Sequence, residues 1–186
     1  TSRIELTTAV AVLPIRDMRV FAGEVTQAFH LTDERLILGV GRGAYPYETG
    51  RLGVPLEQTR AVVDESLELL EALLTRKEVS WNTPRYGFQP LTIMPRPARP
   101  VPITIAASTA DALFHVAKKG YNAMTTPLSA DHSALVRQVD MFKSGRAEAG
   151  PGAAKNRLGL QRGVYVAKSD ADAKRVVALA YAYFQR

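Results

Sequence analysis

The sequence predicts an α/β fold with a parallel sheet. Three observations carry that prediction. β-rich and amphipathic-helical segments alternate along the chain. The clearest strand, Leu36–Val40, is a short and nearly all-apolar run, as in parallel strands covered on both faces. The segment 59–78 (TRAVVDESLELLEALLTRKE) repeats apolar residues at helical spacing. A doubly wound sheet and a (β/α) barrel both satisfy this alternation. A full barrel needs about 200 residues or more, so a barrel reading of these 186 residues implies absent pieces.

Taken in order, Ile4–Val12 is rich in β-formers and stops at Leu13-Pro14. Arg19 to Thr32 is helical, with Phe21, Val25, Ala28 and Phe29 on one face. After Leu36–Val40 comes Gly41-Arg42-Gly43 and an aromatic, turn-rich stretch. In helix 59–78, Val63, Leu67, Leu70 and Leu74 form the apolar stripe, with Glu65, Glu68 and Glu71 on the opposite, solvated side. Five prolines from Pro84 to Pro100 preclude a long helix or central strand there. This excursion is expected to hold a small hairpin of Tyr86–Phe88 and Leu91–Met94. Ile103–Ala106 is a strand, followed by a helix from Ala110 to Lys119 with Gly120 at its C′ position. Tyr121–Thr125 is a strand. Ser129 caps a helix running to Ala149. The GVYVA run, 163–167, is the fifth strand. Ser169 and Asp172 form a capping box opening a last helix to Phe184.

Bulk composition narrows the function classes. Apolar residues make up 46% and charged residues 23%, ordinary for a globular protein. The net charge of +6 is spread without basic runs, so no nucleic-acid partner is expected. Cysteine is absent. His30, His115 and His132 form no ligand motif, so no metal site is expected. No signal peptide or membrane-length apolar run is present, and the expectation is a cytoplasmic protein with no membrane partner.

Ligands of parallel α/β folds gather at the carboxyl ends of the strands. Those ends carry Ala9-Val10, Gly41-Arg42-Gly43, Ser108-Thr109 and Thr125-Thr126. GVGRGAY matches neither a dinucleotide fingerprint nor a Walker loop. Ser108-Thr109 opens a helix. The pair either binds an anion with free N–H groups and hydroxyls or simply caps that helix, and both readings stand. Arg42 at a strand mouth and Arg60 at a helix start suit an anion, although each also reads as a surface arginine. No Ser-His-Asp set or carboxylate pair can be assembled.

The stretch TTAVAVLPIRDMRVFAGEVTQAFHLTDERLILGVGRGAYPYETGRLGVP, the later Arg60 and Glu65, and PITIAAST resemble, in that order, the luciferase-like flavin monooxygenases. The resemblance implies a TIM (β/α)8-type barrel, incomplete here, with these segments as strands three to seven of a single domain. It implies an oxidoreductase that uses reduced FMN and O2 on a small organic substrate, with a separate flavin reductase as a possible partner. The alternatives are an F420-dependent hydride-transfer enzyme and a non-catalytic flavin-binding remnant. Arg42, Arg60, Ser108 and Thr109 would hold the flavin phosphate, with Gly41 and Gly43 admitting the ligand. Ala9 and Val10 would back the flavin ring through a cis peptide. No catalytic residue is implied. Met18, Phe29 and Glu34 depart from the family pattern; at Glu34 a left-handed backbone, usually glycine, is expected. Open sheet edges lead to an expected homo-oligomer.

Overall fold

The computed structural model describes residues 3–126, 132–162 and 164–184. The predicted first strand is in fact two short pieces, β1 (Leu6–Thr7) and β2 (Ala11–Val12). Both pair in parallel with β3 (Leu36–Gly41), one at each of its ends. Next to β3 lie β6 (Ile103–Ala106), β7 (Asn122–Thr125) and β8 (Leu158–Leu160), each parallel to its neighbour. The sheet order β1/β2–β3–β6–β7–β8 therefore follows the chain, as a barrel's does, and the sheet forms a half-barrel.

Helices cover one face of this sheet. α1 (Met18–Leu31) starts at Asp17, whose carboxylate accepts from the Arg19 N–H at 2.9 Å. It buries Met18, Phe21, Ala22, Val25 and Phe29. α3 (Thr59–Thr75) buries Leu67, Leu70 and Leu74 of the predicted stripe, with Val62, Leu69 and Leu73 beside them, while Val63 is only partly buried. It ends three residues earlier than expected, where Arg76 turns extended. Leu38, Val40 and Ile103 face these helices and complete one core. The parallel pairing sets Leu38 against Ile103 and Val40 against Ile105, so the intervening Gly39 and Gly41 face the inner side of the half-barrel. A smaller core joins α4 (Ala110–Lys118) and α5 (His132–Glu148): Leu113, Ala117, Ala123 and Phe142. Gly145 permits this, because a Cβ there would stand 2.2 Å from the Phe114 carbonyl oxygen. Gly120, at φ +85°, closes α4 as expected.

Four further expectations need correcting. The hairpin pairs β4 (Val79–Asn82) with β5 (Gly87–Leu91), upstream of the predicted 86–88 and 91–94. Its turn falls at Thr83–Tyr86, where the Thr83 N–H donates to the Tyr86 carbonyl at 2.8 Å. The last strand is Leu158–Leu160, not 163–167. The Asn122 carboxamide fixes it by accepting the Arg157 N–H at 2.8 Å, while Val164 and Val166 stay 84% and 89% exposed. In the final helix, α6 (Asp170–Phe184), Ser169 accepts from the Asp172 N–H at 3.3 Å, but Asp172 reaches back to the Lys168 N–H instead of Ser169. The predicted capping box is thus only half formed. The Ser129 cap lies outside the described residues. A short helix, α2 (Pro46–Arg51), occupies the stretch read as turns. No helix among the described residues is long and apolar enough to cross a membrane.

Candidate functional site

At the carboxyl ends of β3 and β6, a cleft of about 730 Å³ opens between α3 and α4. Its floor is Val40, Leu67 and Ile105. Four predicted residues line this one cleft: Arg42 follows β3, Arg60 stands in the first turn of α3, and Ser108 and Thr109 lead into α4. All four are exposed. Thr109 is the N-cap of α4, accepting from the Ala112 N–H at 3.2 Å. The capping reading of Thr109 therefore holds, and it leaves the other N–H groups of that first turn open.

The charges of the cleft are mixed. Arg42 and Arg60 form no ion pair among the described residues. Asp64 of α3 pairs with Lys119 at 3.2 Å across the far end of the cleft. Asp111 sits in the first turn of α4, where a carboxylate complements the helix dipole. His115 also lines the cleft. Asp64, Asp111, His115 and Lys119 lack any local sequence signal, because the α3–α4 groove assembles them from separate helices. Below the groove, Tyr121 is half-buried. That burial, reinforced by the negative charge of the nearby Glu71 carboxylate, raises its phenol pKa.

Ala9 and Val10 do not line this cleft. The peptide joining them is cis, as the resemblance implied, and it falls in the break between β1 and β2. Val10 covers the inner side of Gly41, where a Cβ would come 2.9 Å from Val10 Cγ2. Gly43, at φ +83°, leaves no more room: a Cβ there would meet Thr49 Cγ2 at 2.8 Å. Both glycines thus accommodate this chain's own side chains. Among the described residues no group of acids and histidines is placed to hold a metal ion.

The sequence pattern of the luciferase-like monooxygenases matches residues 1–186. A 4-hydroxyprotoasukamycin monooxygenase of Streptomyces nodosus subsp. asukaensis is 35% identical over 115 residues, 61% of this chain and 31% of that protein. Monooxygenase RslO1 from Streptomyces bottropensis superposes with a TM-score of 0.86 at 22% identity, over 100% of this chain and 57% of its own. The oxygenating constituent of 3,6-diketocamphane monooxygenase from Pseudomonas putida, solved with FMN, gives 0.77 at 18% identity, over 95% and 52%. An F420-dependent secondary alcohol dehydrogenase gives 0.72 at 17%, over 84% and 48%. These likenesses establish the barrel fold. The chain spans half or less of the length of the curated relatives it matches.

Proposed function

This chain belongs to the luciferase-like monooxygenase family, and from that premise we propose that it forms the FMN-phosphate end of a flavin-dependent monooxygenase site. The observation that carries this reading is the convergence of Arg42, Arg60, Ser108 and the α4 start on one cleft. Two guanidiniums without a carboxylate partner among the described residues suit a dianion. A helix start adds N–H donors and the positive end of the dipole. The residues present therefore fit a flavin phosphate.

Bound reduced FMN would supply the two electrons that activate O2, one atom of which would go to the organic substrate and the other to water. This chain's residues do the holding. Arg42 and Arg60 neutralise the phosphate, while Ser108 and the α4 N–H groups orient it. Val10 packs against Gly41 and would back the flavin ring. A separate reductase would deliver the reduced flavin, and the edges that β1 and β8 leave unpaired among the described residues suit assembly with further copies of the chain. F420 presents a phosphate as well, and the likeness to an F420-dependent dehydrogenase keeps hydride transfer as the second reading.

Titrating the 186-residue chain with FMN, riboflavin and F420 tests this. FMN binding about tenfold or more tighter than riboflavin supports the proposal. F420 binding without FMN binding moves the chain to the hydride-transfer reading. Binding of none of the three leaves the structural remnant.

A further inference from the structure

The Ser108 carbonyl is held by a residue from another helix. Gln138 lies on α5 and is only 5% exposed, although glutamine is usually a surface residue. Its Nε2 donates to the Ser108 carbonyl oxygen at 2.7 Å, thirty residues away in sequence. Its Oε1 is buried and has no partner among the described residues. The amide is therefore half satisfied, which core packing alone does not explain.

The contact also fits the way α5 lies on α4. Gln138 meets Ser108 at the start of α4, Gly145 meets Phe114 midway, and Glu148 pairs with Lys118 at 2.8 Å near its end. The two helices run in the same direction at a nearly constant offset. Gln138 is thus placed on the turn that opens α4, on the side facing α5. The cleft lies on the other side of α4, facing α3.

A trans peptide points its C=O and N–H in opposite directions. The Ser108–Thr109 peptide has its C=O drawn towards α5 by Gln138. Its other end, the Thr109 N–H, is thereby turned towards the cleft. Thr109 is the N-cap of α4, so this N–H has no partner within the helix.

We propose that Gln138 is a positioning residue for anion binding: by holding the Ser108 carbonyl it aims the Thr109 N–H at the phosphate of the bound flavin. This rests on the reading of the cleft as a flavin-phosphate site. Gln138 touches neither the ligand nor the reacting atoms. Its effect is confined to the phosphate and leaves the flavin ring's contacts unchanged.

The test compares FMN and riboflavin binding by the wild-type chain, Gln138→Leu and Gln138→Met, alongside denaturant midpoints. Both variants keep the apolar contacts of the side chain and remove the donor. The expected result is a loss of FMN affinity of about three- to tenfold, with riboflavin affinity unchanged and midpoints close to wild type. Equal loss of both ligands, or an unchanged preference for FMN, overturns the proposal. A wild-type chain that does not prefer FMN over riboflavin overturns the cleft reading itself, and the inference falls with it. Should both variants fail to fold, the wild type still decides: in ¹⁵N-resolved spectra, inorganic phosphate and FMN should shift the Thr109 amide, whereas riboflavin should not. An unmoved Thr109 amide overturns the proposal.

Discussion

Thr8 takes over both backbone groups of Gly39. The Gly39 N–H donates to Thr8 Oγ1 at 2.8 Å, and the same hydroxyl donates to the Gly39 carbonyl at 2.8 Å. This happens where the chain between β1 and β2 leaves the ladder, so a side chain supplies the bonds that a neighbouring strand would. Gly39 has no side chain for a related reason: a Cβ there would lie 1.7 Å from the Thr8 carbonyl oxygen.

Thr8→Val should therefore destabilise the chain by about 1–3 kcal/mol, since it keeps the shape and strands two buried backbone groups. Thr8→Ser should recover most of the loss. Denaturant midpoints measure both. A Thr8→Val midpoint equal to wild type would mean that water replaces the hydroxyl without cost.

Arg42→Ala should weaken FMN by about 1.5–3 kcal/mol, the range for hydrogen bonds to a charged group. Riboflavin, which lacks the phosphate, should bind almost as before. Fluorescence titration with both ligands reads the difference. Equal weakening would show that Arg42 does not contact the phosphate.

Asp111 points to a change in the other direction. It brings a negative charge into the same helix turn as the proposed phosphate. Asp111→Asn should therefore tighten FMN by about 0.5–1 kcal/mol at low ionic strength, and added salt should shrink that gain. Weaker FMN binding by the variant would place Asp111 in contact with a donor group of the ligand instead.

The order of the strands was legible because each strand and helix carries a local pattern: the Leu36–Val40 run, the α3 stripe, Gly120 after α4. The cleft was legible only in part. Arg42 and Ser108 follow from the rule that parallel strands present ligands at their carboxyl ends. Asp64, Lys119 and Gln138 act across helices, and nothing near them in sequence marks it. The last strand was misplaced for a similar reason. Val164-Tyr165-Val166 has the stronger β-type composition, but the Asn122 side chain selects Arg157–Leu160, a tertiary preference that propensity does not contain.

The Asp17 carboxyl titrates unusually low. Its hydrogen bond from the Arg19 side chain, at 3.0 Å, brings its pKa down from 3.8 to about 2. A depressed folded-state pKa adds stability above the unfolded value and loses it as pH falls through the folded one. Asp17 should thus stabilise the chain at neutral pH, with the contribution lost progressively between about pH 5 and pH 1. A fully realised shift of this size is worth about 2.5 kcal/mol, but the side chain is 39% exposed, so solvent screening leaves about 1 kcal/mol. Asn also caps helices, so Asp17→Asn isolates the charge. The variant should be less stable than wild type at pH 7 and indistinguishable from it at about pH 1, below both pKa values. A gap that persists there would assign the effect to something other than ionisation.

Glu34 brings strain and compensation together. Its φ is +60°, in the left-handed region that the sequence predicted, and Asp33 before it is at +50°. A Cβ in that conformation costs about 1 kcal/mol. The turn is nonetheless well tied. The Glu34 N–H closes α1 by donating to the Phe29 carbonyl at 2.7 Å. Arg99 donates from Nε to Glu34 Oε2 at 3.0 Å, and its guanidinium lies 5.2 Å from the centre of the Phe29 ring. Phe29, fully buried, and Glu34 therefore depart from the family pattern around a shared partner. Glu34→Gly would relieve the left-handed cost but lose the ion pair, worth up to about 1 kcal/mol. It would also free the unfolded chain, at about 0.4–1 kcal/mol. These terms nearly cancel, so Glu34→Gly alone should change stability by less than about 0.5 kcal/mol. With Arg99→Ala already made, no ion pair remains to be lost, and the same substitution should stabilise by about 0.5 kcal/mol more than in the wild-type background. Denaturant midpoints of the four chains give that difference. The turn precedes β3, at the end of the sheet opposite the cleft, so FMN affinity should be the same in all four. An effect of Glu34→Gly that is identical with and without Arg99 would show that the ion pair does not offset the strained turn.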